Sequence, residues 1–373
     1  EYKVMGMSAY GKPIYQKALE TSFDINNNGE LAITESDYLG FCEIKDTGHR
    51  SIYFKEKLKN KFKIAKDNNF EQNHFDFASS LQSTVENTGI GLSEWAFEKT
   101  KKNKICLSGG VALNGLMNNK ILNSNNFSDA FVYPASGDDG TSVGSALYYL
   151  SQNKDFNFFN KKISTCFYGF KNKLNLERDK KILKDLNIER SEHIQKFVAS
   201  KLSKNFVVAI YDSNLGSEFG PRSLGGRSIL ANPTNPKMKE ILNKKIKLRE
   251  PFRPFAPICL KDNVADFFEI KCESSFMLFI CETKKEKKHL IPSVVHEDDT
   301  ARVQSVSEEN GNLYKILKEF NIITKVPILI NTSFNIGGEA IVNTVEDAIL
   351  SFKKMDIDYL VIDNYIISKK DKF

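Results

Sequence analysis

Arginine is scarce in this 373-residue sequence: only eight of its 53 basic residues, the rest being lysine. Its six cysteines show no Cys-x-x-Cys spacing, so reduced, mostly buried thiols in a cytoplasmic protein are expected. No apolar run reaches the length of a membrane span, nothing at the start reads as a signal peptide, and no internal repeat is evident. A net charge of +6 is mild for this length and forms no basic stripe. It permits an anionic substrate, but neither nucleic acid nor membrane is expected as a partner. What remains, at 41% hydrophobic and 27% charged residues, is the composition of an ordinary globular protein with room for two cores.

The few arginines are not spread evenly. Five of the eight fall between Arg222 and Arg302, four of them in two short motifs, Glu218-Phe-Gly-Pro-Arg-Ser-Leu-Gly-Gly-Arg227 and Lys247-Leu-Arg-Glu-Pro-Phe-Arg253. Arginine suits planar, two-pronged capture of phosphate or carboxylate, whereas a solvated face accepts either cation. Glycine and proline around these residues imply fixed turns. The motifs predict an anion site.

The pattern predicts an α/β architecture. Residues 1–155 form a first domain, 156–190 a connector and 191–373 a second domain. The opening Glu1–Lys12 reads as a strand-turn segment already in progress, so the chain is expected to be the C-terminal part of a longer protein. Helical spacing runs from Asp76 to Lys99. Ile105–Leu107 and Ala130–Tyr133 read as strands, each followed by a glycine loop and a helix, the first beginning near Ala112 and the second at Thr141. In the connector a strand is predicted near Thr165–Gly169, then an amphipathic helix. The second domain is predicted to hold strands at Val207–Tyr211, Phe276–Ile280 and Ile328–Ile330, helices near Ser191, over Lys237–Lys247 and over Val345–Met355, and a closing strand pair at Tyr359–Ile362 and Tyr365–Ile367.

Five places carry chemistry. Ser108-Gly109-Gly110, with Asn114 at the next helix, either lets backbone N–H groups approach an anion or forms a plain tight turn. Asp138 and Asp139 on the Ser136–Gly140 loop suit a hard cation or a nucleotide, or cap the helix. Arg222, Arg227, Lys247, Arg249 and Arg253 cannot all be buried without anionic partners, of which Glu218 and Glu250 are the internal candidates. Asn331, Ser333 and Asn335 lie on a turn after a strand, suited to a polar ligand or to the turn alone. His296-Glu-Asp-Asp-Thr-Ala-Arg302 reads as a solvated loop.

These motifs in this order resemble the O-carbamoyltransferases that modify antibiotics and nodulation factors. The resemblance runs from Glu1-Tyr-Lys-Val-Met-Gly through Leu107-Ser-Gly-Gly-Val-Ala-Leu-Asn114 and Gly137-Asp-Asp-Gly-Thr141 to the arginine motifs, Thr300-Ala-Arg-Val-Gln304 and Asn331-Thr-Ser-Phe-Asn335. It implies the latter half of an actin-like ATPase domain, then a small α/β domain with a twisted mixed sheet. In such enzymes the second domain joins ATP and carbamoyl phosphate into carbamoyl-adenylate, and the first passes the carbamoyl group to an acceptor hydroxyl of a small molecule.

By motif match, Arg222, Lys247 and Arg253 take the adenylate-forming roles. Ser108, Gly109, Gly110, Asn114, Arg227, Arg302, Asn331, Ser333 and Asn335 bind substrate or nucleotide. The family also holds a divalent metal, Fe2+ or Mg2+, with a His-x-x-x-His pair and an aspartate matched here by Asp138, or alternatively Asp139. The five histidines include no such pair, so the ligand set is expected to be incomplete in this chain. A homodimer is compatible with the resemblance. The rival expectations are a tRNA threonylcarbamoyl-adenosine enzyme, which would want a continuous basic face, and a non-catalytic nucleotide-binding module.

Overall fold

The opening segment, expected as strand and turn, is helical in the computed structural model, which describes residues 2–37, 39–43, 50–59, 69–152 and 163–370. Helix α1 (Tyr2–Ser8) leads to α2 (Gln16–Glu20), the hairpins β1 (Phe23–Ile25)/β2 (Leu31–Ile33) and β3 (Leu39–Glu43)/β4 (Arg50–Phe54), the short α3 (Glu56–Lys59) and the long α4 (Gln72–Thr100). The reason for the helical start is tertiary. Tyr10 packs its ring 5.6 Å from Phe75, Lys12 N–H donates to Asp76 at 2.8 Å, and Gln72 donates to the Tyr10 carbonyl at 3.0 Å. A side chain at Gly11 would come within 2.0 Å of the Phe75 carbonyl, so the chain can lie against α4 only as glycine there. Glu1 itself lies outside the described residues.

The chain divides into two units, Glu1–Cys106 with Leu116–Phe131, and Leu107–Gly115 with Val132–Phe373. The expected boundary at residues 155 and 156 falls within 153–162, outside the described residues. Strand β5 (Lys104–Leu107) pairs with β6 (Asp129–Val132). The helix expected near Ala112 is split into a 3-10 turn at Gly110–Leu113 and α5 (Gly115–Asn123). A second 3-10 turn, Asp138–Gly140, opens α6 (Thr141–Ser151).

In the second unit, α7 (Lys180–Leu183), β7 (Leu186–Arg190), α8 (Ile194–Ser203), β8 (Val208–Tyr211), β9 (Arg227–Ala231) and α9 (Met238–Ile241) come first. Then follow β10 (Ala256–Leu260), α10 (Val264–Phe267), β11 (Phe268–Glu269), β12 (Cys281–Thr283), β13 (Thr300–Ala301) and β14 (Gln304–Val306). The unit closes with α11 (Asn312–Thr324), β15 (Ile328–Ser333), α12 (Val345–Lys354), β16 (Tyr359–Ile362) and β17 (Tyr365–Lys369). Eight of these strands make one mixed sheet in the order β14-β10-β15-β9-β8-β16-β17-β7, parallel at β10–β14 and β8–β16 and antiparallel elsewhere. Strands β11, β12 and β13 form a separate antiparallel sheet.

Alternation along the strands fills both faces of the large sheet. Ala209, Tyr211, Ile229, Ile330 and Leu360 join Val345, Ile349 and Phe352 of α12 in one core. Val208, Ile210, Leu230 and Leu329 join Val198 and Leu202 of α8 and Ile316 and Phe320 of α11 in the other. Full burial on both faces explains why Val207–Tyr211 and Ile328–Ile330 read as continuous apolar runs, each such side chain contributing roughly 1.5–3 kcal/mol.

Four expectations shift. Phe276–Ile280 is irregular, buried only from Met277 onward, and the strand begins one residue later, at Cys281. Thr165–Gly169 is not a strand, although Gly169 N–H reaches the Ser217 carbonyl at 3.0 Å and Phe219 N–H the Cys166 carbonyl at 2.7 Å. Leu186–Arg190, placed in the connector, is instead the sheet's edge strand against β17. The helix over Lys237–Lys247 widens into a π-turn at Leu242–Ile246, which proves to matter for the site.

Candidate active site

The first arginine motif is a turn between Tyr211 and β9, and its carboxylate does not pair with its arginines. Glu218 Oε1 instead accepts the backbone N–H groups of Leu224, Gly226 and Arg227 at 3.0, 2.9 and 3.2 Å. Gly220 and Gly225 adopt φ values of +126° and +114°, which only glycine takes without strain. The two arginines of this turn then part company. Arg227 is fully buried, its guanidinium 3.7 Å from the Tyr211 ring centre and donating to the carbonyls of Asp212, Gly226 and Leu215 at 2.8, 3.0 and 3.4 Å. This corrects the expectation that Arg227 meets nucleotide: the side chain has no surface to offer and holds the turn together from beneath. Arg222 is half-exposed, with its Nε buried and without a hydrogen-bond partner, and desolvation lowers its guanidinium to about 10.

The second motif follows the π-turn. Lys247 N–H bonds back five residues to the Leu242 carbonyl at 2.8 Å, and this wider turn precedes the lysine directly. The Lys247 side chain is buried, with Nζ 2.7 Å from the Ser333 carbonyl, 3.2 Å from Ser333 Oγ, 3.2 Å from the Asn335 carbonyl and 2.6 Å from Asn335 Oδ1. Asn335 is held in turn by its Nδ2, which donates to the carbonyls of Ile336 and Glu339 at 3.0 and 2.7 Å. Arg249 donates from Nε to Asn243 Oδ1 at 2.7 Å and lies 4.5 Å from the Phe255 ring centre. Arg253 meets Glu250 at 3.6 Å, as expected for that carboxylate.

These cations share one field. Burial chiefly lowers Lys247 to about 7, and Arg249 and Arg253 add to the effect. Burial likewise pushes Arg302 well below the usual guanidinium range, assisted by Arg222, Arg249 and Arg253. Arg302 Nε, like Arg222 Nε and the Nε of the sealed Arg227, is a buried donor with no partner among the described residues. Like charges held this close, with unfilled donors, are costly until an anion of several oxygens arrives. Asn331, on β15 at the same end, donates through Nδ2 to the Ser223 carbonyl at 3.1 Å and to Gln304 Oε1 at 3.2 Å. It thus ties the arginine turn to β14.

The loop before Arg302 is solvated at Glu297, Asp298 and Asp299, as the sequence implied, but the ring edge of His296 is not. His296 Nδ1 lies 3.0 Å from Thr300 Oγ1, while its Nε2 is buried without a partner, and burial lowers the ring to about 4. The sequence signal was present but weak: a histidine six residues before an arginine, with acids between.

The glycine loops of the same unit form a second locality. Ser108, Gly109 and Gly110 are exposed. Gly109, at φ +95°, donates its N–H to the Ser136 carbonyl at 2.8 Å, so the two loops are joined. Open space of at least 4 Å surrounds the positions where Gly109 and Gly110 would carry side chains. Asn114 is half-buried, its N–H on the Val111 carbonyl at 2.9 Å. Asp138 and Asp139 are exposed, and among the described residues no group of three or more histidine, cysteine, aspartate or glutamate side chains is placed to hold a metal. The described residues do not fit a complete metal site.

With this geometry in hand, comparison with known proteins is direct. Residues 1–147 match the family described as Carbamoyltransferase N-terminus and residues 199–369 the family described as Carbamoyltransferase C-terminus. The chain belongs to the carbamoyltransferase family. Over 99% of its length it is 35% identical to nodulation protein NolNO of Sinorhizobium fredii and 32% identical to nodulation protein NolO of Bradyrhizobium diazoefficiens, covering 53% and 66% of those proteins. An uncharacterized protein of Synechocystis is 31% identical over 99% of the chain and is covered to 64%. The chain thus spans between about half and two thirds of the length of these relatives. A solved structure of full-length HypF in its phosphate- and nucleotide-bound form aligns at 19% identity and a TM-score of 0.32, over 48% of this chain and 24% of that one. No helix among the described residues is long and apolar enough to cross a membrane.

Proposed function

We propose that the second unit condenses ATP with carbamoyl phosphate to carbamoyl-adenylate, and that the carbamoyl group then passes to a hydroxyl of a small-molecule acceptor. The observation that carries this reading is the mutual field of Arg222, Lys247, Arg249, Arg253 and Arg302, with two buried guanidinium N–H donors unfilled. Two phosphorylated substrates repel one another, and fixed cations offset that repulsion best where water is excluded. Balance requires one water: carbamoyl phosphate, ATP and water give carbamoyl-adenylate, pyrophosphate and inorganic phosphate. In the second step the acceptor oxygen attacks the carbamoyl carbonyl and AMP leaves. Membership of the carbamoyltransferase family supports the reading.

Within it, Arg222 and Arg302 grip phosphate oxygens, while Lys247 and Arg253 stabilise charge developing at the reacting phosphate. Ser333 and Asn335 hold Lys247 in place. The joined loops at Ser108–Gly110 and Ser136–Gly140 are the candidate surface for the transfer step. The test is pyrophosphate release by the folded protein given ATP and carbamoyl phosphate. Release that depends on both substrates and vanishes in Arg222→Ala supports the proposal. Release driven by threonine and bicarbonate in place of carbamoyl phosphate overturns it, as does ATP binding without turnover in the full-length protein.

A further inference from the structure

Every cation in the arginine cluster offers only N–H donors, since neither guanidinium nor ammonium has a lone pair to accept with. Phosphate and carbonyl oxygens are served by such a lining. The amino group of a carbamoyl phosphate is not, because its two N–H bonds need acceptors. A site built of donors alone would hold an acetyl phosphate as well as a carbamoyl phosphate. Selectivity for the amide requires a buried acceptor near the guanidinium groups.

His296 has the right chemistry, and its tautomer follows from its neighbours. Thr300 Oγ1 lies 2.7 Å from Asp298 Oδ1 and 3.0 Å from His296 Nδ1. With Asp298 ionised its oxygen only accepts, so the single hydroxyl hydrogen of Thr300 goes to Asp298. Nδ1 therefore carries the imidazole proton and donates it to Thr300, and Nε2 is left as a bare lone pair. That atom is buried and has no hydrogen-bond partner among the described residues. The ring is fixed by its own loop, because His296 N–H donates to the Thr300 carbonyl at 2.8 Å and Asp299 N–H to the His296 carbonyl at 3.1 Å. Burial keeps the imidazole neutral, reinforced by Arg302 and Lys239 and opposed by Asp298, so Nε2 stays an acceptor at any physiological pH.

We infer that His296 Nε2 is a specificity-determining acceptor, taking an amide N–H of the acyl phosphate held by Arg302 and its neighbours. The inference rests on the proposed anion site and adds the residue that reads what is attached to the phosphate. The unfilled lone pair then ceases to be a defect of the fold, since a buried acceptor without a donor is costly until its ligand arrives.

The experiment compares carbamoyl phosphate with acetyl phosphate, which has a methyl group where the amine stands. In wild-type protein the carbamoyl compound is preferred by pyrophosphate release. In His296→Leu the preference falls by about tenfold or more. The acetyl phosphate rate is unchanged, because a methyl group never used the acceptor, while His296→Gln, whose amide oxygen can accept, keeps most of the preference. Equal loss on both substrates, or an unaltered ratio, overturns the inference.

A second measurement needs no variant and no turnover: 15N spectra of histidine-labelled wild-type protein titrated with each compound alone. An Nε2 resonance that moves with carbamoyl phosphate and not with acetyl phosphate supports the assignment, and no movement with a bound carbamoyl phosphate sinks it. Wild-type protein that binds carbamoyl phosphate selectively yet releases no pyrophosphate would refute the proposed reaction while leaving His296 in its role.

Discussion

Lys247 Nζ stands 2.7 Å from the backbone carbonyl of Ser333, joining the end of the π-turn to the end of strand β15. The two residues are 86 positions apart in the chain. Their bond places an ammonium group where the large sheet stops and two other cations already stand. Four oxygens favour its charge, whereas burial and the guanidinium groups of Arg249 and Arg253 oppose it and bring it to about 7.

Anion binding should therefore take up a proton at alkaline pH. Free protein loses the Lys247 proton as pH rises through about 7, while a bound phosphate group restores it. Affinity for inorganic phosphate falls above that pH, by up to about tenfold per unit while one proton is involved. Calorimetry at pH 8 in two buffers of different ionisation enthalpy gives the proton count. Zero uptake there rules out Lys247 as the linked group.

Removing a cation from the cluster should trade function for stability. Arg302→Met relieves repulsion from Arg222, Arg249 and Arg253 and removes an unfilled donor. The ligand-free melting temperature should rise by about 2 °C, while stabilisation by added phosphate disappears. A variant that melts lower than wild type and still responds to phosphate would contradict the assignment.

Arg227 should behave in the opposite way. Arg227→Met strands the Asp212, Gly226 and Leu215 carbonyls and removes the stacking on Tyr211. A loss of about 3 kcal/mol or more in urea unfolding is expected. Substrate affinity in the surviving folded fraction should change far less than in Arg222→Ala.

Gly337 keeps Lys247 in its seat. A Cβ there would lie 2.2 Å from the Lys247 carbonyl oxygen, so Gly337→Ala must move the backbone of one or the other. Pyrophosphate release should drop at least tenfold with the melting temperature changed by only a few degrees. Unaltered activity would mean that this backbone contact does not position the lysine.

Glu218→Ala deletes an acceptor shared by three backbone N–H groups. About 2 kcal/mol of stability should go with it, and Glu218→Gln, which keeps an oxygen, should recover part.

Much of the fold could be read directly where burial is two-sided. Val207–Tyr211, Ile328–Ile330 and the closing pair at Tyr359 and Tyr365 are apolar enough to admit one interpretation. Strands β9 and β10 escaped because each follows directly on an arginine motif that reads as a turn. Arg227 opens β9, and Pro257 sits inside β10, where β14 pairs only from Ile258 onward, so the missing proline N–H leaves no gap on that side. The helical start at Tyr2–Ser8 was hidden because its cause lies some 60 residues away, at Phe75 and Asp76.

Residue chemistry alone pointed to an anion site, for guanidinium groups gathered among glycines and prolines in an otherwise lysine-rich chain have few other uses. Its members were decided by the tertiary structure. Arg222 and Arg227 sit five residues apart in one motif, and each keeps a buried Nε without a partner, yet only Arg222 has surface left to offer a ligand. His296 and Asn331, by the same token, acquire their unfilled acceptors only through neighbours brought in by folding. Sequence specifies which groups carry charge; only packing settles which of them are desolvated, and desolvation makes a charge available to a ligand.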